Sequence, residues 1–295
     1  MTTLRCAAAA VRAGDPLEAT APPADHWLLV EHAGPWGPHA ITESRLPSAT
    51  ADALARWTVS SRARVALIRR PGAPHRRRKT GRWCRVDARP GRESLRWGSY
   101  SDDGELVGVL ADPTAGEPST EPVYLVCTHG RHDPCCALRG RPVAQALAIA
   151  YPNRTWECTH VGGDRFAANL VMLPHGLYYG QVGPHEAVDI AKRHEDGMLD
   201  LGRLRGRSSL AAPVQAAQHH ARLASGDAAI DAYPPLSTEL TGPGEWLVRL
   251  AGADGVPVAV TVRATVREAS RHLTCSGPVP DWFRVFELVD LRHGG

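Results

Sequence analysis

Two short segments of the chain concentrate groups that bind metals or carry redox chemistry. The first reads Cys127-Thr-His-Gly-Arg-His-Asp-Pro-Cys135-Cys136, and the second reads Cys158-Thr-His160-Val-Gly-Gly-Asp164. Thiolates, imidazoles and carboxylates are all metal ligands, and thiolates favour zinc, copper(I) or iron–sulfur clusters. Composition alone does not choose among these. The chain has seven cysteines: Cys6, Cys84, Cys127, Cys135, Cys136, Cys158 and Cys275. An odd count in a long chain whose start does not read as a secretory signal argues against a disulfide framework. Such crowding of thiols in a reducing compartment points to metal binding or thiol redox chemistry. No apolar run approaches the ~20 residues that cross a bilayer. The expectation is a cytoplasmic protein without a membrane partner.

The elements that must position these groups read as α/β. Pro122–Cys127 is a strand ending on the first segment, Arg141–Ala150 a helix with Pro142 in its first turn, and Thr155–His160 a strand ending in the second segment. In an open α/β sheet, ligands gather beyond the C-terminal ends of strands, so the two strand ends can face one another. Gly162 and Gly163 allow a tight turn in which backbone wraps closely around a cofactor. Asn169–Leu173 and Leu177–Val182 read as a hairpin, and Pro184–Glu195 as a helix. This order is thioredoxin-like. Upstream, His26–Glu31, Val65–Ile68, Arg82–Ala88 and Ser94–Tyr100 read as strands, with a helix over Ser48–Ser60. Downstream come a helix over Ser209–Ala224, a hairpin around Asp254-Gly255 and a last strand over Trp282–Leu288. The predicted division is a lead-in over 1–24, an Arg-rich α/β domain over 25–118, a thioredoxin-like domain over 119–205, and a helix plus β-hairpin extension over 206–295.

The central segments resemble the sucrase/ferredoxin-like family of thioredoxin-like ferredoxins. That family places one Cys at a strand end and a second nine positions later after Asp-x-x-Cys, as in Cys127, Asp133 and Cys136. Its His-x-Gly-Gly-His-x-Phe-Ala element is similar to His160-Val-Gly-Gly-Asp164-Arg-Phe-Ala167, and its Leu-Pro-x-Gly-x-x-Tyr-Gly hairpin is similar to Leu173 through Gly180. Trp27-Leu-Leu-Val-Glu31 and Gly34-Pro-Trp-Gly37 look like bacterial members. The resemblance implies a [2Fe–2S] cluster held by two cysteines and two histidines, which places Cys127, Cys136 and His160 as ligands. The second histidine position is Asp164. Three outcomes stand there: Asp164 ligates through oxygen, which is the preferred one; Cys158 replaces it, which needs a bend in the strand; or the cluster has been lost. Backbone N–H groups at Gly162 and Gly163 are candidate donors to the cluster. An aspartate ligand makes the site one unit more negative than a second histidine would, which disfavours an added electron.

The implied role is a one-electron carrier between a reductase and another redox protein. The rival readings are a metal-free thiol–disulfide oxidoreductase using Cys127 and Cys136, and a structural zinc site built from Cys127, Cys136, His160 and Asp164. No phosphate-binding glycine loop, serine nucleophile elbow, dinucleotide fingerprint or His-Glu-x-x-His appears, so an electron carrier is favoured over a stand-alone enzyme. Cys-x-x-His is absent too, against a Rieske centre. The net charge of +3 is too small to point to nucleic acid. Between Arg62 and Arg92, however, eleven arginines and one lysine face a single acid, Asp87. This run reads as a solvated loop or as a docking patch for an acidic redox partner. His129 and His132 read as solvated loop residues or donors behind the ligands, Cys135 as a neighbour of the site, and Cys6, Cys84 and Cys275 as buried thiols or bystanders.

Overall fold

The computed structural model describes residues 4–72, 80–252 and 255–294. Arg76, Arg77, Arg78 and Lys79 of the basic stretch, and Asp254 of the expected hairpin turn, lie outside the described residues. The chain begins with α1 (Cys6–Ala13) and then lays down β1 (His26–Glu31), α2 (Ala40–Glu43), α3 (Ser48–Ser60), β2 (Ala63–Arg69), β3 (Gly81–Asp87), β4 (Ser94–Tyr100), α4 (Glu105–Ala111) and β5 (Glu117–Ser119). The central unit is β6 (Val123–Cys127), α5 (Pro134–Ala150), β7 (Thr155–Cys158), β8 (Leu170–Leu173), β9 (Leu177–Tyr179), α6 (Pro184–Glu195) and β10 (Leu204–Arg207). The C-terminal extension is α7 (Ala212–Ser225), β11 (Pro235–Gly242), β12 (Glu245–Ala251), β13 (Pro257–Ala269) and β14 (Asp281–His293).

The first ten strands form one sheet in the order β10-β9-β8-β6-β7-β2-β1-β3-β4-β5, and the last four form an antiparallel meander. Strands β6 and β7 pair parallel around α5, while β8 joins β6 antiparallel and β9 joins β8 antiparallel. This is the thioredoxin-like arrangement. Strands β1 to β4 repeat it, since β2 pairs parallel with β1, β3 antiparallel with β1, and β4 antiparallel with β3. The two units meet through their second strands, where Ile68 pairs with Cys158 and Arg69 with Glu157.

Burial explains the strands. Val123–Cys127 is buried at every position, as expected for a strand covered on both faces. Tyr124 and Val126 pack with Val143, Leu147 and Ile190 of the helical layer. Leu125, Cys127 and Cys158 face the opposite side with Trp27, Leu29 and Ile68. In the extension, Val214, Ala217 and Ala221 of α7 pack on Val248, Val260 and Phe286 of the meander. No helix among the described residues is long and apolar enough to cross a membrane.

Several local expectations change. The lead-in contains α1, because an alanine run has the strongest helix propensity. Gly14 ends it in the left-handed conformation at φ 64°, a common helix terminator. Helix α5 starts at Pro134 rather than Arg141. Its start is the Asp133-Pro134 pair, with the Asp133 side chain accepting from the Cys135 N–H, and the cap and N1 proline outweigh the later Pro142. The short strands β5 and β10 also escape the sequence reading. So does β11, which turns the expected C-terminal hairpin and last strand into a four-stranded sheet.

Candidate metal centre

Strand β6 delivers Cys127 to its C-terminal end, beside Cys158 in parallel register. Helix α5 then brings Cys136 back to the same point. Successive helical residues project ~100° apart, so Cys136 faces Cys127 in the sheet-side core while Cys135 faces Cys6 and Ala7 of α1. Close approach of helix and strand requires Gly140. A Cβ there would lie 2.1 Å from the Cys127 carbonyl oxygen.

The metal-binding atoms of Cys127, Cys136 and His160 all lie within 4.8 Å of one another. Asp164 closes the group, its Oδ1 standing 3.2 Å from Cys136 Sγ and 3.0 Å from His160 Nδ1. His160 Nδ1 is buried against this carboxylate. The structure therefore brings Cys127, Cys136, His160 and Asp164 together at two strand ends. His132, read from sequence as a solvated loop residue or an outer donor, also joins them. It stacks on His160 at 3.8 Å between centroids, and its Nε2 lies 3.6 Å from Asp164 Oδ2. The signal that could have found it is its position immediately before the Asp133 cap, one turn ahead of Cys136.

His129 has both ring nitrogens engaged. Nε2 donates to the Gly37 carbonyl at 2.7 Å, and Nδ1 accepts from the His160 backbone N–H at 3.2 Å. It is a buried positioning residue rather than a solvated one. Cys158 is fully buried, and among the described residues it joins no set of three donors within 4.8 Å. Gly162 and Gly163 adopt left-handed conformations at φ 97° and 81°, which turn the chain from His160 to Asp164. Their carbonyls are held from outside: the Gly162 oxygen accepts from Arg205 Nη1 at 2.9 Å and the Gly163 oxygen from Asn169 Nδ2 at 2.9 Å. Arg205 is itself buried.

The electrostatics favour one thiolate, at Cys127, beside an ionised carboxylate. A hydrogen bond from Cys136 holds the Cys127 thiol far below its ordinary range, against the cost of burial and with help from His160. The same bond, with burial and the nearby Asp164, pushes Cys136 strongly up. Burial opposes the imidazolium form of His160, but Asp164 and Cys127 outweigh it and raise His160 to about 9. Burial likewise opposes the Asp164 carboxylate, yet hydrogen bonds from His132 and His160 hold its pKa well below the carboxylate range. The arrangement is two coupled thiols, one of them a ready thiolate, beside an anionic carboxylate and an imidazolium. A metal cation can replace the protons that now hold them together.

A second group was not foreseen from sequence. Cys6, Asp133, Cys135 and Cys275 also converge within 4.8 Å. They come from α1, the cap and first turn of α5, and the loop between β13 and β14, a set whose spacing along the chain gives no motif.

No curated protein matches the chain. Two solved structures are similar over a short stretch, both cysteine-to-serine variants of the thioredoxin-like [2Fe-2S] ferredoxin from Aquifex aeolicus. They share 26% and 24% identity with this chain, covering 28% of it and 95% and 96% of their own lengths, each with a TM-score of 0.25. The profile described as sucrase/ferredoxin-like matches residues 17–205. That stretch holds both thioredoxin-like units and the whole Cys127 centre, and the chain belongs to the sucrase/ferredoxin-like family.

Proposed function

We propose that the chain is a [2Fe–2S] electron-transfer protein whose cluster is held by Cys127, Cys136, His160 and Asp164. The observation that carries this reading is the convergence of two fully buried thiols with the His160 imidazole, their metal-binding atoms all within 4.8 Å of one another. Two thiolates, one imidazole and one carboxylate suit iron–sulfur ligation. Such a cluster supplies a one-electron couple. The protein's own contribution is to fix the ligands: Asp133 caps the helix that presents Cys136, Gly140 lets that helix close on Cys127, and His129 holds the His160 backbone. The Gly162–Gly163 turn brings Asp164 back onto the site.

The two thiols are buried, whereas the side chains of His160 and His132 are 23% and 30% exposed. Their edges meet a groove lined by Pro38, His39 and Thr42, which is where a redox partner would approach. The proposed partner is an acidic protein. Arg5, Arg131 and Arg141 line an adjoining groove beside His129, and this basic rim is the surface we assign to steering, together with the arginine-rich stretch. The role is that of a carrier between a reductase and a second protein rather than of a stand-alone enzyme.

One observation favours a second reading. Three donors within 4.8 Å plus a carboxylate at 3.0–3.2 Å make a set compact enough for a single tetrahedral zinc. Anaerobic purification with a visible spectrum and iron, sulfide and zinc assays separates the two. Coloured protein with about two irons and two sulfides per chain, lost in Cys136→Ser and retained in Cys84→Ser, supports the cluster. Colourless protein whose zinc is lost in Cys136→Ser supports the second reading and refutes the first.

A further inference from the structure

We propose that Cys6, Cys135 and Cys275, completed by Asp133, form a second metal site, for zinc, that ties both ends of the chain to the central helix. The sulfur atoms form a triangle with edges of 3.6 Å from Cys6 to Cys135, 3.5 Å from Cys135 to Cys275 and 3.5 Å from Cys275 to Cys6. Asp133 Oδ2 lies 3.6 Å from Cys6 Sγ. Zinc–sulfur bonds of ~2.3 Å and zinc–oxygen bonds of ~2.1 Å in a tetrahedron give S···S edges of about 3.8 Å and S···O edges of about 3.6 Å. The triangle is thus close to a tetrahedral face, and a carboxylate oxygen lies within 4.8 Å of all three sulfurs.

Packing alone gives little reason for this meeting. The apolar cluster that joins α1 to the body consists of Cys6, Ala7, Cys135 and Ala167, with Cys275 partly buried against it. Small side chains bury little apolar surface, and thiols are weak hydrogen-bond donors. Three thiols also cannot pair off as disulfides without leaving one over. The surroundings suit an anionic metal complex. Asp133 Oδ1 and Oδ2 are oriented by the backbone N–H groups of Cys135 at 2.7 Å and Cys275 at 2.6 Å, leaving lone pairs free to ligate. The Ala7 N–H, one of the unpaired donors at the start of α1, is directed at Cys135 sulfur. A zinc ion with three thiolates and one carboxylate carries a net charge of about −2. Arg165, which lies within electrostatic reach of Cys6, pairs with Asp15 at 3.2 Å, and Arg271 on the Cys275 loop pairs with the same acid.

Cys6 and Cys275 fall outside the stretch 17–205 that matches the family and Asp133 and Cys135 lie inside it, so the site ties the extensions to the central unit and shares no ligand with the proposed cluster. Its role follows from position. It clips α1 over the turn at Asp164–Phe166 and fixes the β13–β14 loop against Asp133, the cap of the helix that presents Cys136.

The test is zinc and cobalt(II) binding by the full chain, measured as metal per chain and as thiolate-to-cobalt charge-transfer absorption, in wild type, Cys6→Ala, Cys275→Ser and Cys136→Ser. Wild type should take up about one equivalent that Cys6→Ala and Cys275→Ser both lose and Cys136→Ser keeps. Any iron–sulfide colour should show the reverse pattern, so failure of the cluster reading leaves this one standing. EDTA should raise hydrogen exchange in 4–13 to the level of Cys275→Ser, and zinc should restore it in wild type alone. Unchanged metal uptake in both Cys6→Ala and Cys275→Ser, or occupancy by copper(I) in place of zinc, overturns the proposal.

Discussion

Replacing Gly140 by alanine adds a methyl group where α5 touches the end of β6. The new Cβ would sit 2.1 Å from the Cys127 carbonyl oxygen, whereas ordinary contacts begin at 3.4 Å, so helix and strand must part by about 1.3 Å. The carbonyl oxygen at 2.1 Å and its carbon at 3.1 Å both belong to the backbone of Cys127 at the end of β6. Overpacking of this kind costs ~1–3 kcal/mol. Alanine recovers ~1 kcal/mol of helix propensity over glycine, which leaves a net loss of about 0–2 kcal/mol. The effect on the site is larger than this. Cys136 lies one turn before Gly140 on the same face of the helix, so it is carried away from Cys127 by a similar distance. Ligand sets tolerate ~0.5 Å of misplacement, and disturbed supporting contacts weaken metal binding ~10–100-fold. The expected outcome for Gly140→Ala is a small shift in the urea midpoint with a large loss of metal from the Cys127 centre, read as iron and visible absorbance per chain. A variant more stable than wild type by the full propensity gain, with unchanged metal content, would refute the claim that this glycine exists for close approach.

Asp164→His should raise the midpoint potential of the proposed cluster, because a neutral ligand replaces an anionic one; an unchanged or lower potential in a voltammetric titration contradicts Asp164 ligation. His194 predicts an acid-labile packing site: burial, with His175 adding to it, pushes its pKa down to about 4. The unfolded chain therefore binds this proton near pH 6.5 and the folded chain does not. Stability is fully present above that pH and is lost as pH falls towards 4, by up to about 3 kcal/mol. Urea melts at pH 7 and 4.5 should show this loss in wild type and a flatter profile in His194→Gln; equal slopes count against it. Arg205→Met strips donors from the carbonyls of Gly162 and Thr20 and from Asn169 Oδ1, held at 2.9, 2.6 and 2.7 Å. Unsatisfied acceptors cost ~1–3 kcal/mol each, so a loss of ~3 kcal/mol or more is expected in a urea melt, with faster release of metal by chelator. A neutral effect means that the turn before Asp164 holds itself.

Two of the proposed ligands, Cys127 and His160, lie at strand ends legible in sequence, while Cys136 and Asp164 were placed by the family resemblance. Cys127 and His160 follow runs that are buried throughout. The start of α5 was harder to read, since Pro142 imitates an N1 proline while the operative one, Pro134, lies among polar loop-like residues. Misplacing that start hid two consequences: Cys135 and Cys136 point to different cores, and His132 sits against Asp164. The Cys6–Cys135–Cys275 group was beyond sequence reading for a different reason. Its members are separated by most of the chain, and only the packing of α1 and the β13–β14 loop on the central unit brings them together.

The two thioredoxin-like units also explain why a unit without the ligand set accompanies the one that has it. They join antiparallel at Ile68 and Cys158, so the C-terminal ends of β1 and β2 and those of β6 and β7 converge. The loop after β1 then lies over the site: Gly37 and Pro38 offer their carbonyls to His129 and His132 at 2.7 and 3.3 Å, and Trp36 meets the edge of the His129 ring at 5.9 Å. Between the strands, the Leu67 carbonyl accepts the Thr159 N–H at 2.9 Å, and the Leu67 N–H donates to Thr159 Oγ1 at 3.0 Å, which anchors the chain just before His160. A buried ion pair between Arg69 and Glu157 at 2.8 Å closes the seam, and its geometry fixes register more than it adds stability. Among its described residues, the first unit brings no donor to the proposed centre. It supplies backbone acceptors that orient two imidazoles, as the outer partners of metal-binding histidines do in general, and it keeps the thiolates away from water.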